Sequence, residues 1–131
     1  MAKGRPAVVL VEDDEGLREA LTGVLTVSGF RVASFSSTEL ALEGAPWATA
    51  ACLIVDIRLP GMSGLELLHC LHERGDSMPA IVLSADARDA RQVMRDAAMR
   101  LGVSAYLEKP ARGRVVVAAV REAISKKNTK L

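Results

Sequence analysis

The stretch Ala51-Cys52-Leu53-Ile54-Val55-Asp56-Ile57-Arg58-Leu59-Pro60-Gly61 decides the fold. Its first five residues form a continuous apolar run, not an alternating one, as expected of a strand covered on both faces in a parallel sheet. Asp56 follows at once, and Pro60-Gly61 marks a loop. Downstream, Ser63 with Glu66 makes a capping box, and Leu65, Leu68 and Leu71 share one face of the helix that follows, closed by Gly75.

The same strand–helix unit recurs on either side. Upstream, Ala7 to Val11 predicts a first strand, and Leu17, Ala20, Leu21, Val24 and Leu25 predict a helix ended by Gly29. Arg31 to Phe35 predicts a second strand, and Ser36 with Glu39 a capping box for a short helix ending near Gly44. Downstream, Ala80 to Leu83 reads as the fourth strand. A helix marked by Val93, Met94, Ala97, Ala98 and Leu101 and stopped by Gly102 follows. Ser104 to Leu107 is the fifth strand, and Val116, Ala119, Val120, Ala123 and Ile124 mark a last helix. The polar tail, Ser125 to Leu131, is expected to fray. Five strand–helix repeats imply parallel strands joined by right-handed crossovers: an α/β, doubly wound five-stranded sheet with its ligand site beyond the carboxyl ends of the strands.

With 131 residues the chain fits a single domain, expected over 1–131 with a core at about 7–125. Half the residues are hydrophobic and a quarter charged, which is globular and not disordered. A net charge of +1 gives no pull toward nucleic acid or an anionic membrane, and 3% aromatics leave little for base stacking. No apolar run is long enough to span a bilayer, and a cytoplasmic location is expected. Cys52 and Cys70 read as reduced packing residues.

The chemistry lies at the strand ends. Glu12 and Asp13 follow the first strand, Asp56 the third, Ser84 the fourth and Lys109 the fifth, so the fold gathers them at one sheet edge. Carboxylates that share a pocket repel one another, and each pair at about 4 Å costs on the order of 4 kcal/mol at an effective dielectric near 20. Such a site takes up a proton or a cation. The donors are hard oxygens without histidine or thiolate, which favours Mg²⁺ (or Mn²⁺) over zinc or copper. Carboxylates also serve as nucleophiles that form acyl phosphates, and Asp56 is the best placed because it ends the most apolar strand. Lys109 would bring a compact positive charge to the phosphoryl oxygens, and Ser84 a hydroxyl donor. Lys109-Pro110 is a candidate cis bond.

Taken in order, Val11-Glu12-Asp13-Asp14, Asp56 through Gly64, Ser84-Ala85 and Lys109-Pro110 closely resemble the response-regulator receiver domains of two-component signalling, the CheY-like superfamily. The resemblance covers about residues 7 to 125 and implies a flavodoxin-like (βα)5 fold with strand order 2-1-3-4-5. It implies that Asp56 accepts phosphate from a histidine kinase or phosphotransfer protein. It further implies that Asp13, Asp56 and the Arg58 backbone carbonyl ligate Mg²⁺, with Glu12 acting through water, and that Lys109 contacts the phosphate. Ser84 and Tyr106 would form a switch pair that alters the surface of helix four, strand five and helix five, toward an unknown output partner or domain. Homodimerisation on phosphorylation and weak self-dephosphorylation belong to the same expectation, and a metabolic enzyme does not.

Two departures from the family pattern stand out. Ser84 to Lys109 is about three residues longer than usual, with the extra length around Asp86 to Leu101, and Ala111 is small for its position. Arg58 and Asp86 flank the expected phosphate entrance and are predicted to tune hydrolysis of the acyl phosphate. Tyr106 could instead be a half-buried sheet residue with a wet hydroxyl. Asp14, the pair His69 and His72, and the basic tail Lys126, Lys127 and Lys130 read as solvated groups. One rival reading is a phosphate-independent interaction module. Another is an aspartyl-nucleophile Mg²⁺ phosphatase, which would need an acid where Arg58 stands.

Overall fold

The computed structural model describes residues 4–85, 101 and 103–129. Its strands are β1 (Ala7–Val11), β2 (Arg31–Phe35), β3 (Ala50–Asp56), β4 (Ala80–Ser84) and β5 (Val103–Glu108). All pairings are parallel and the strand order is β2-β1-β3-β4-β5, as the resemblance implied. The helices among the described residues are α1 (Glu15–Val27), α2 (Thr38–Gly44), α3 (Gly64–Glu73) and the C-terminal α4 (Gly113–Thr129). The helix expected over 93–101 lies outside the described residues except for Leu101, as do Asp86 and Lys130.

The continuous apolar strands divide their side chains between two layers, because successive residues of a strand face opposite sides of the sheet. Val9, Val11, Leu53, Val55, Ala80 and Val82 form one layer with Ala41 of α2, Trp47, and Leu67, Leu68 and Leu71 of α3. Val8, Leu10, Cys52, Ile54, Ile81 and Leu83 form the other, with Leu21 and Leu25 of α1 and Val116, Val117, Val120 and Ala123 of α4. These central strands are therefore held from both sides, and their carboxyl ends are rigid mounts.

Three local expectations change. The cap of α2 is Ser37, not Ser36: its side chain accepts from the Leu40 N–H, and the helix so placed buries Thr38 and Ala41. Glu39 is thereby released from any capping box. The tail does not fray at Ser125, because α4 runs on to Thr129. Lys126 pairs with Glu122 one turn back, and Lys127 Nζ donates to the Ser77 carbonyl at 2.7 Å and its hydroxyl at 3.1 Å. Asp14 is more than a solvated acid, since its side chain accepts from the Leu17 N–H at 2.9 Å and caps α1. The Ser63–Glu66 capping box of α3 forms as expected, and Lys109-Pro110 is cis.

Candidate functional site

Four strands deliver the site. β1 leads into Glu12 and Asp13, β3 ends in Asp56, β4 ends in Ser84 and β5 leads into Lys109. Backbone hydrogen bonds lock these ends together. The Glu12 N–H donates to the Phe35 carbonyl, Ile57 to Leu83 and Lys109 to Ser84, all at 2.8 to 3.0 Å. Glu12 and Ser84 are fully buried and Asp56 is 5% exposed, whereas Asp13 is open to solvent.

Carboxylate oxygens of Glu12, Asp13 and Asp56 lie within 4.8 Å of one another. The Lys109 ammonium stands 2.5 Å from Asp56 Oδ2 and 2.9 Å from Glu12 Oε1. Burial pushes the Glu12 carboxyl above its ordinary range, and the Asp56 charge adds to this. Lys109 and the Asp14 N–H oppose the shift without cancelling it. For Lys109 burial works against the charge, but the hydrogen bonds and charges of Asp56 and Glu12 outweigh it and its pKa is raised. Three carboxylates facing one ammonium leave two negative charges uncompensated within the cluster. The donor set is hard oxygen with one open side at Asp13, which suits a hydrated divalent cation such as Mg²⁺.

The loop after β3 is built into the site. Asp56 Oδ1 accepts from the Arg58 N–H at 2.8 Å, and the Gly64 N–H donates to the Ile57 carbonyl at 3.1 Å. A Cβ on Gly64 would stand 2.3 Å from the Asp56 carbonyl oxygen, so only glycine lets α3 start this close to Asp56. A glycine inside a capping box, where better helix formers were available, is the signal that could have marked this position.

The expected site residues Glu12, Asp13, Asp56, Ser84 and Lys109 come together at one edge. Arg58 joins them through its backbone. Tyr106 lies one layer down: it pairs with Val82 in the sheet and its ring packs on the α2–α3 side of the core. Its hydroxyl is not wet but buried, and it has no hydrogen-bond partner among the described residues. Arg18 was missed as a site residue. It reads as one more polar position of α1, yet its guanidinium donates to the Glu12 carbonyl at 2.9 Å and braces the turn after β1. Glu39 was also misassigned, and its carboxylate accepts instead from the Met62 N–H at 3.0 Å. His69 and His72 are exposed, as expected. Cys52 is buried with its thiol pushed up to about 12 by desolvation, and both cysteines are free. Ala111 is half-buried against the α1–α4 layer.

Comparison with known proteins supports the fold and identifies the family. A family model described as the response regulator receiver domain matches residues 8–121. The transcriptional regulatory protein FixJ of Azorhizobium caulinodans is 35% identical over 119 residues, covering 91% of this chain and 55% of its own. The response regulator protein TmoT of Ectopseudomonas mendocina is 32% identical over 117 residues, covering 89% and 52%. The chain thus spans about half the length of these curated relatives. Among solved structures, the crystal structure of FixJ-N superposes with a TM-score of 0.77 at 33% identity, covering 95% of this chain and 96% of that one. A CheY-like receiver from Methanospirillum hungatei JF-1 gives a TM-score of 0.82 at 23% identity, covering 95% and 98%, and supports the fold. No helix among the described residues is long and apolar enough to cross a membrane.

Proposed function

Because the chain belongs to the response regulator receiver domain family, we propose that it takes a phosphoryl group onto Asp56 from the phosphohistidine of a histidine kinase or phosphotransfer protein, with Mg²⁺ or Mn²⁺ as cofactor. The observation that carries the reading is the cluster itself: a 5%-exposed Asp56 held between two further acids and one ammonium at the carboxyl edge of a parallel sheet.

An Asp56 carboxylate oxygen attacks phosphorus, the P–N bond to imidazole breaks as the P–O bond forms, and the imidazole keeps a proton. The burial of β3 and the Arg58 N–H fix the direction of the attacking carboxylate. Lys109 loses its salt bridge to Asp56 when that oxygen becomes part of the acyl phosphate, and its ammonium then serves the phosphoryl oxygens. Ser84, on the adjacent β4, offers its hydroxyl to the same oxygens. Asp13, Asp56 and the Arg58 carbonyl would hold the metal, with Glu12 acting through water. When bound, the metal neutralises charge on the transferring group.

The switch follows from packing. Tyr106 carries a buried hydroxyl without a partner among the described residues, an arrangement that costs free energy and is relieved by an alternative rotamer or a new donor. A Ser84 drawn toward phosphate changes the space beside β5 and biases Tyr106, and with it the outer surface of β5 and α4. The response passes to a protein partner or an output domain in the cytoplasm, with homodimerisation as one outcome and slow self-dephosphorylation resetting the state. The same reading gives Arg58, and Asp86 outside the described residues, a part in setting the phosphate lifetime.

The test is transfer of labelled phosphate from a phosphorylated kinase, or from acetyl phosphate, in the presence of Mg²⁺. The wild type takes up acid-stable, base-labile label and Asp56→Asn takes none. Label captured by Asp56→Asn at the wild-type rate refutes the assignment.

A further inference from the structure

The loop between β3 and α3 carries Arg58, whose carbonyl is the one main-chain oxygen assigned above to the metal. Its root is tied down by the Arg58 N–H bond to Asp56 Oδ1 and by the close approach of Gly64. Its tip is held from a different element. Glu39, on the first turn of α2, accepts from the Met62 N–H with Oε2 at 3.0 Å. Gly61, next to it, has φ at 74°, a left-handed conformation that favours glycine. A Cβ built there would come 2.6 Å from the same Glu39 oxygen, so the carboxylate fills the space that glycine leaves. The Met62 N–H and the residue's own backbone N–H hold the Glu39 carboxyl below its ordinary range, as expected for an anion that works as an acceptor.

We propose that Glu39 is a positioning residue for the metal site: its carboxylate clasps Met62 across the Gly61 turn and so fixes the loop that presents the Arg58 carbonyl. The inference rests on the metal site proposed above. Without the clasp the loop between Asp56 and Ser63 keeps its bonds at the root and its buried Leu59, but the tip at Gly61 and Met62 loses its hold on α2, and the cation must order that part on binding. Affinity falls by the population of loop states that do not present the oxygen. By reciprocity, a cation bound at the site protects the Met62 N–H, which ties the start of α2 to the loading state of a site on the far side of the loop.

The experiment is calorimetric titration of Mg²⁺ into the whole chain, as wild type, Glu39→Ala and Glu39→Gln. The glutamine keeps an acceptor for Met62 but removes the charge. Glu39→Ala is expected to weaken Mg²⁺ binding roughly threefold to tenfold, the size of one lost ordinary hydrogen bond on an exposed turn. Glu39→Gln is expected to stay near wild type. Hydrogen exchange at Met62 slows on adding Mg²⁺ to wild type and not to Glu39→Ala. Gly61→Ala, which drives a methyl into Glu39, reproduces the weakening and is not additive with Glu39→Ala. Equal affinities for wild type and Glu39→Ala overturn the proposal while leaving the metal site intact. A Glu39→Gln as weak as the alanine variant also overturns it, since long-range attraction of the cation would then suffice. A wild type that binds no Mg²⁺ overturns the metal site and the proposal together.

Discussion

Replacing Lys109 with methionine keeps the apolar stem and removes the ammonium. In the wild type that ammonium lies 2.5 Å from Asp56 and 2.9 Å from Glu12. At an effective dielectric of about 20, these separations correspond to gross attractions of roughly 7 and 6 kcal/mol. Desolvation offsets much of this, and removing one partner of a buried pair typically costs about 3–5 kcal/mol. Lys109 keeps 20% of its side chain exposed, so the lower end applies and a loss of about 3 kcal/mol is expected. The loss should depend on what else can neutralise the acids. Millimolar Mg²⁺ should stabilise Lys109→Met more than it stabilises wild type, because the cation and the ammonium compensate the same carboxylates.

Acid should act in the same direction. The Glu12 carboxyl is already raised, so its contribution favours the folded state below its ordinary value of 4.5 and is lost as pH rises through the folded value. Lys109 supplies two of the influences that lower it, so in the variant the folded value climbs further and stability recovers as pH falls through that raised value toward 4.5. For wild type, the raised Lys109 value means that its contribution is complete below 10.5 and is lost only as pH rises beyond. Urea unfolding followed by circular dichroism, with chelator or with Mg²⁺ and at several pH values, measures all of this. A loss that is the same in chelator, in Mg²⁺ and across the acid range would refute the electrostatic account of the cluster.

The remaining predictions are independent of one another. Gly64→Ala should destabilise the chain by roughly 1–3 kcal/mol and slow labelling of Asp56, because its methyl meets a backbone oxygen and not a yielding side chain; paired unfolding and phosphorylation assays check this. Tyr106→Phe should be neutral or stabilising by about 1 kcal/mol in the unphosphorylated protein, since the hydroxyl it deletes is buried and unpaired, and a loss above that size in urea unfolding would reveal a bond to it. Cys70, only half-buried, should react with a thiol reagent at mildly alkaline pH while the buried Cys52 does not, the Cys52 thiolate population being lower by roughly a thousandfold than that of an ordinary thiol of value 9.0; mass spectrometry of the labelled peptides distinguishes them.

The three central strands were legible because each is a short apolar run that gives way to a polar residue at its carboxyl end, and β1 and β2 match their expected bounds residue for residue. The site followed from those bounds. Once Asp56 is known to end a central strand, its neighbours at 12, 13, 84 and 109 are fixed by topology. What could not be read were contacts between elements that no periodicity encodes. Ser36 and Ser37 are equally good caps by type, and only the burial of Thr38 and Ala41 selects the second. The bond between Glu39 and Met62 joins residues 23 apart through a turn, and Lys127 reaches Ser77 across 50 positions. The C-terminal lysines looked like a solvated fringe because the loop that captures one of them is far away in the chain.

The ammonium of the cluster arrives on the last strand to be synthesised, and that strand sits at the rim of the sheet with β4 between it and the acceptor. A partly made chain therefore holds its acids without their counterion, and Asp56 and Glu12 repel each other until the rim strand docks. The charge balance of the cluster is in this way completed only when the last strand docks.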